Sequence, residues 1–268
     1  MTKAQLPPFP APLPADWPTR LAGYAATRDS IGESGAIIHR LAAPGRPTLY
    51  LKQGSGTVAR DIADEYARLR WLQGRLPVAR LVAFAEEGGT AWLLTEALAG
   101  QAAYAWLEAH PERRAEAVAG LARFLRRLHA LPAETCPFNA ALPLRLAAAR
   151  ARIDAGLVET EEFDEVRAGW SAEQVWDRLH ALFPVEAAPV VTHGDYSLDN
   201  IFLDDSGAVT GIIDVGRLGV ADRHQDLAIL LNCLGEFDAA LAPALFAAYG
   251  TTPDPRLIEL HLLLDELF

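Results

Sequence analysis

The stretch from Val190 to Asp226, VVTHGDYSLDNIFLDDSGAVTGIIDVGRLGVADRHQD, constrains this chain more than any other. Val190–Thr192 reads as a short apolar strand that His193-Gly194-Asp195 leaves, and Ile201–Leu203 and Val209–Ile213 read as strands joined by the turn-forming Asp204-Asp205-Ser206-Gly207. In a hairpin symmetric about that turn, Asp214 returns to within about three residues of Asn200. One amide oxygen and one carboxylate then face the same small volume. That pair suits magnesium, a hard cation that takes oxygen ligands and keeps phosphate oxygens and water in its other positions. Asp195, on the loop before Asn200, is left to accept a proton from an attacking hydroxyl.

Each residue also has an ordinary structural use. Asp195 can cap a turn, Asn200 can occupy a left-handed position, and Asp214 with Gly216 can be a plain loop after a strand. The joint occurrence of His-x-Asp-x4-Asn, a hairpin and Ile-Ile-Asp points instead to a phosphoryl-transfer site. His193 reads as a scaffold residue of the loop. A His-plus-Asp metal hydrolase is the rival, but no second His stands at ligand spacing.

The rest of the chain supplies the setting. Residues 1–18 carry Pro7, Pro8, Pro10, Pro12, Pro14 and Pro18 and read as an extended arm. Thr27–Leu51 reads as an antiparallel meander interrupted at Gly32–Gly35 and turned by Pro44-Gly45-Arg46-Pro47. Arg60–Leu72 reads as a helix with Ile62, Tyr66 and Leu69 on one stripe. Glu65 lies at that stripe or its edge. A carboxylate there needs a cation, for which Lys52 at the end of the preceding strand is the nearest candidate, or else it is an exposed marginal residue. Leu81–Glu86 and Ala91–Glu96 read as strands, and composition shifts to helices near Ala97–Gly100. Helices are expected at about 102–109, 112–130, 142–155 and 255–268, with Ser171 and Gln174 forming a capping box that opens one to Phe183.

The length allows one domain or two lobes sharing a cleft. A net charge of −11 argues against nucleic acid as the principal partner and fits a cationic small substrate, though acidity also serves solubility. Cys136 and Cys233 make neither a metal pattern nor a disulfide framework. With no secretion signal and no run near ~18 apolar residues, a cytoplasmic protein without a membrane partner is expected.

HGDYSLDN and IIDVGRLGVADRHQDLA resemble the kinase-like antibiotic phosphotransferases, and the final LLDELF is similar to the C-terminus of the aminoglycoside 3′-phosphotransferases, the kanamycin and neomycin kinases. LYLK, DEYARLRWL, CPF and GLV extend the likeness over nearly the whole chain beyond the Pro-rich arm. The resemblance implies an α+β, bilobal, protein-kinase-like fold. Residues 1–97 would be a nucleotide-binding lobe, an antiparallel sheet with one helix. Residues 98–268 would be a mainly helical catalytic and substrate-binding lobe.

It also implies roles. Asp195 would be the catalytic base or hydroxyl-orienting residue, Asn200 and Asp214 the Mg2+ ligands, and Arg217 an orienting group for the catalytic Asp or the substrate-side acids. Lys52 would contact the ATP phosphates and pair with Glu65, Ser34 would cover the phosphates, and Glu96 and Ala97 would supply backbone hydrogen bonds to adenine. Tyr50 would lie against the adenine ring; a strand tyrosine filling core is the alternative. Asp164, Glu165, Glu236, Glu266 and the carboxylate of Phe268 would bind a cationic aminoglycoside. Leu198 and Asn232 depart from the charged residues of some members. Asp226 reads as a structural anchor beneath the catalytic loop.

The expected reaction is transfer of the ATP γ-phosphoryl group, with GTP as an alternative donor, to the 3′-hydroxyl of kanamycin- and neomycin-type antibiotics, by a monomer or weak dimer. A kinase of choline, homoserine or a macrolide would share the central stretch but has no reason to end in LLDELF. A nucleotide-binding pseudokinase has no need to keep Lys52, Glu65, Asp195, Asn200 and Asp214 together.

Overall fold

The computed structural model describes residues 13–29 and 35–268. They divide into two compact units: one runs to Ala99 and includes Thr210–Gly216, and the other holds Gly100–Val209 and Arg217–Phe268. The first change of unit comes after Ala99. The return of Thr210–Gly216 to the first unit was not expected.

The first unit opens with a short helix, Trp17–Arg20 (α1), followed by Ala25–Asp29 (β1), Ile37–Ala42 (β2), Leu49–Ser55 (β3), the helix Thr57–Leu72 (α2), Leu81–Glu87 (β4) and Thr90–Glu96 (β5). The strands form one antiparallel sheet in the order β1-β2-β3-β5-β4. Because strand side chains alternate, Leu49 and Leu51 turn to one face and Tyr50 and Lys52 to the other. The first face packs Leu41, Leu49, Leu51, Trp92 and Leu94 against Trp17, Leu21 and Tyr24. Trp17 is buried, so the expected arm ends earlier than Pro18: a large aromatic gains more from the core than the flanking prolines lose in helix geometry. On the other face Ala91 and Leu93 meet Ala59 and Ile62 of α2. Lys52 pairs with Leu93 in register and so stands on the face that α2 covers.

The second unit is mainly helical, as expected. Its elements are Gln101–Ala102 (β6), Ala103–Ala109 (α3), Arg114–His129 (α4), Leu142–Asp154 (α5), Ala172–His180 (α6), Pro189–Thr192 (β7), Ile201–Leu203 (β8), Val209–Ile212 (β9, whose later residues belong to the first unit), Gly219–Asp222 (β10), His224–Gly235 (α7), Ala242–Tyr249 (α8) and Pro255–Asp265 (α9). Ser171 and Gln174 close the capping box that starts α6. One core packs Ala149 of α5, Val175 and Leu179 of α6, and Leu260, Leu263 and Leu264 of α9. Strands β7 and β10 pair antiparallel, Thr192 opposite Gly219. None of the described helices is long and apolar enough to cross a membrane.

Candidate active site

In the first unit the alternation along β3 delivers Lys52 to α2, and one turn beyond the buried Ile62 that helix presents Glu65. Lys52 Nζ donates to Glu65 Oε2 at 2.7 Å and to Asp214 Oδ1 at 2.5 Å. Burial disfavours the ammonium, but the charges and hydrogen bonds of the two carboxylates outweigh it and raise the Lys52 pKa. Asp214 is brought here by β9: Ile212 N–H donates to Pro77 O and Ile212 bridges Val78 in parallel register. Asp214 itself has φ 53°, the positive-φ non-glycine residue among those described, and an Asp tolerates that conformation better than most. Its side chain is 44% exposed. Tyr50 shares the Lys52 face, is half-buried and lies outside the aromatic core cluster.

The expected adenine contacts are more constrained. The Glu96 N–H donates to Arg80 O and the Ala97 N–H to Thr48 O, both at 2.9 Å, so these donors are engaged within the unit. The Glu96 carboxylate bonds Arg80, which lowers its pKa. Ser34 lies outside the described residues.

In the second unit the loop that carries Asp195 is pinned from below. The N–H groups of His193 and Gly194 donate to Asp226 at 2.7 and 2.9 Å. His129 Nε2 lies 2.9 Å from Asp226 Oδ2, and His129 Nδ1 lies 2.7 Å from the Tyr249 hydroxyl. Asp226 is fully buried; burial works against its charge, yet His129 and the loop N–H groups hold its pKa below the ordinary carboxylate value. Gly194 has φ 91°, and a Cβ there would stand 2.4 Å from Arg217 O, so only glycine allows the turn. The Asp195 N–H donates to His193 Nδ1 at 3.3 Å, consistent with a scaffold role for His193.

Above this anchor Asp195 is half-buried, and its Oδ2 accepts from Asn200 Nδ2 at 3.1 Å, as does its carbonyl. The Asn200 nitrogen is thereby committed and its side-chain oxygen remains an acceptor. Asp214, with one oxygen on Lys52, likewise keeps a second oxygen. Both therefore offer the donor chemistry that magnesium prefers. Among the described residues no group of three or more His, Cys, Asp or Glu is placed to hold a metal by itself.

The expected substrate acids fall into two sets. Asp164 and Glu266 come together through Arg167, whose Nη1 donates to Glu266 at 2.8 Å and to Asp164 at 3.2 Å. Glu165, next in sequence, is exposed and starts a short 3-10 turn. Glu236 is separate: it bonds Tyr104 and, by its charge and that bond, raises the phenol's pKa. The Phe268 ring faces Arg145, Arg217 and Arg152 at 5.0, 5.7 and 5.9 Å. Leu198 is fully buried and Asn232 bonds Asp164, so only the second of these departures can touch a ligand.

Arg217 Nη1 lies 3.9 Å from Asp265 Oδ1, which fits an orienting role toward the substrate-side acids. Arg145 lies 3.8 Å from the same oxygen, and burial brings its pKa down to about 10. Burial also pushes the Asp265 carboxyl up, with the charges of Asp195 and Asp164 adding to it. Sequence reasoning missed Asp265, Arg145 and Arg167. Asp265 had a signal, since it sits inside LLDELF; the two arginines had none, lying in segments without a motif.

Residues 26–261 match the phosphotransferase enzyme family. An aminoglycoside 3′-phosphotransferase of Escherichia coli is 49% identical over 250 residues, which is 92% of each chain. The crystal structure of a type VIII aminoglycoside 3′-phosphotransferase superposes with a TM-score of 0.84 at 35% identity, covering 93% of this chain and 96% of that one. An aminoglycoside phosphotransferase from Streptomyces rimosus, solved in complex with ADP and streptomycin, is 28% identical with a TM-score of 0.75, covering 88% of this chain and 93% of its own.

Proposed function

Because the chain belongs to the phosphotransferase enzyme family, and within it to the aminoglycoside 3′-phosphotransferases, we propose that it transfers the γ-phosphoryl group of ATP to the 3′-hydroxyl of kanamycin- and neomycin-type antibiotics, which confers resistance. The observation that carries the chemistry is Lys52 held between Glu65 and Asp214, at 2.7 and 2.5 Å. An ammonium so fixed is a ready partner for ATP phosphates, and the exposed Asp214 can release it to them. Tyr50, on the same strand face, lies against adenine.

Asp195 accepts the proton of the 3′-hydroxyl as its oxygen attacks the γ-phosphorus, the bond to the β,γ-bridging oxygen breaks and ADP leaves. The amide of Asn200 orients the Asp195 carboxylate, and Asp226 fixes the loop that carries it. Asn200 and Asp214 each keep a side-chain oxygen that would hold magnesium, which would supply neutralisation of phosphate charge. Asp164, Glu165, Glu236 and Glu266 bind the ammonium groups of the antibiotic, and Arg217 orients the acids at the chain's last residues. The phosphorylated drug carries a dianion where it had a neutral hydroxyl.

Coupled ADP release with purified protein tests the reading against kanamycin, neomycin, a 3′-deoxy aminoglycoside, choline and homoserine. Turnover with kanamycin and neomycin but not with the 3′-deoxy compound is expected. Turnover with choline or homoserine alone would refute it.

A further inference from the structure

Two of the carboxylates assigned to the antibiotic already hold a cation that belongs to the chain. Arg167 ends a 3-10 turn begun at Glu165, and its own N–H donates to Asp164 O at 2.8 Å. The side chain thereby folds back on Asp164 and reaches Glu266 near the end of α9. Its Nη1 lies 2.8 Å from Glu266 Oε1 and 3.2 Å from Asp164 Oδ2. The Arg167 and Glu266 side chains are each 8% exposed, and Asp164 is 40% exposed. The Asp164 N–H donates to both Glu266 oxygens at 3.2 and 3.4 Å, and Asn232 Nδ2 donates to Asp164 at 3.2 Å.

An ammonium group of the antibiotic needs what Arg167 has taken: carboxylate oxygens at hydrogen-bond distance in a largely dry setting, where charge-assisted bonds are strong. Two cations cannot share Glu266 Oε1 at that distance without strong repulsion. Asp164 stays open enough to be reached from solvent, whereas Glu266 is closed while Arg167 stays.

We propose that Arg167 is a specificity-determining residue: an internal cation standing where a substrate ammonium would bind between Asp164 and Glu266, which amine-rich substrates must displace. The proposal rests on the reading of Asp164 and Glu266 as ligands for antibiotic amines. It makes Arg167 a filter on the number of amines a substrate brings to this corner. A substrate with no amine there leaves the pair closed and binds through the other acids.

The test is KM for neomycin and for the less aminated kanamycin, measured on the full chain with the wild type, Arg167→Gln, Arg167→Lys, Asp164→Asn and Glu266→Gln. Removing the internal cation in Arg167→Gln should lower KM for neomycin by about three- to tenfold, and by less for kanamycin. Arg167→Lys keeps the charge and should stay within about twofold of wild type. Asp164→Asn and Glu266→Gln should each raise KM; if neither does, the amine-ligand reading itself falls. If both raise it while Arg167→Gln leaves KM equal or higher, only the role of Arg167 as a displaced cation is overturned. The wild-type chain answers the same question if Arg167→Gln does not fold. Its Arg167 guanidinium proton signals in NMR, assigned by their absence from the Arg167→Lys spectrum, should shift or broaden on saturation with neomycin, and signals that do not move overturn the proposal.

Discussion

Lys52 and Asp226 are each the centre of a polar cluster, and the clusters differ in what they leave open. Asp226 has no exposure and accepts from His129 and from the N–H groups of His193 and Gly194, so its hydrogen-bonding capacity is spent inside the fold. Lys52 is also well covered, but one of its partners, Asp214, is 44% exposed and stands just after β9. A closed cluster builds structure, because removing a member strands the others without water. An open one can exchange a protein partner for a ligand. On the proposed function, Asp226 would serve the loop that carries Asp195 and Lys52 the nucleotide.

The contrast is broken most directly at Asp226. Asp226→Ala removes the acceptor for two loop N–H groups and His129, and should cost about 3–5 kcal/mol of stability in urea denaturation, the range for one partner lost from a buried pair. A loss under ~1 kcal/mol would place Asp226 with surface pairs and erase the difference. Lys52→Met should do the reverse, lowering kcat/KM for ATP by about 10²–10³-fold while shifting the urea midpoint by less than Asp226→Ala does. Equal midpoint shifts would mean that Lys52 is chiefly structural.

The two centres should also fail at opposite ends of the pH scale. The Asp226 pKa is lowered in the folded state, so its contribution is fully present above the unfolded carboxylate value of about 3.9 and is lost as pH falls through the folded value. The Lys52 pKa is raised, so its contribution is fully present below the unfolded value of about 10.4 and is lost as pH rises through the folded one. Denaturation from pH 2 to 12 should show Asp226→Asn flattening the acid limb and Lys52→Met the start of the alkaline limb above about pH 10.4. The reverse assignment would contradict both.

Local pattern made much of this readable. The strand-end position of Lys52 and the place of Glu65 at the stripe of α2 or its edge made Lys52 its nearest candidate partner, beside the alternative of an exposed Glu65, and Ser171 with Gln174 announced the start of α6. The order of HGDYSLDN and IIDVGRLG marked the segment proposed to carry the chemistry. What stayed hidden depends on contacts distant in sequence. Nothing in residues 210–216 says that Ile212 bonds Pro77, which draws Asp214 to Lys52. Helix α7 buries residues from His224 through Leu230 without a break and so shows no amphipathic stripe to read. Arg167 sits in an irregular segment whose acidic run suggested only solvent or substrate.

The division of labour is tested most directly by Asp195→Asn, followed in single-turnover transfer from ATP to kanamycin, with nucleotide affinity measured calorimetrically on the same sample. The anchored loop predicts a transfer rate lower by about 10²–10⁴-fold, the scale of general-base catalysis, with the ATP Kd within about twofold of wild type. Transfer at the wild-type rate, or loss of ATP binding in step with it, would contradict Asp195 as the proton acceptor of the reaction.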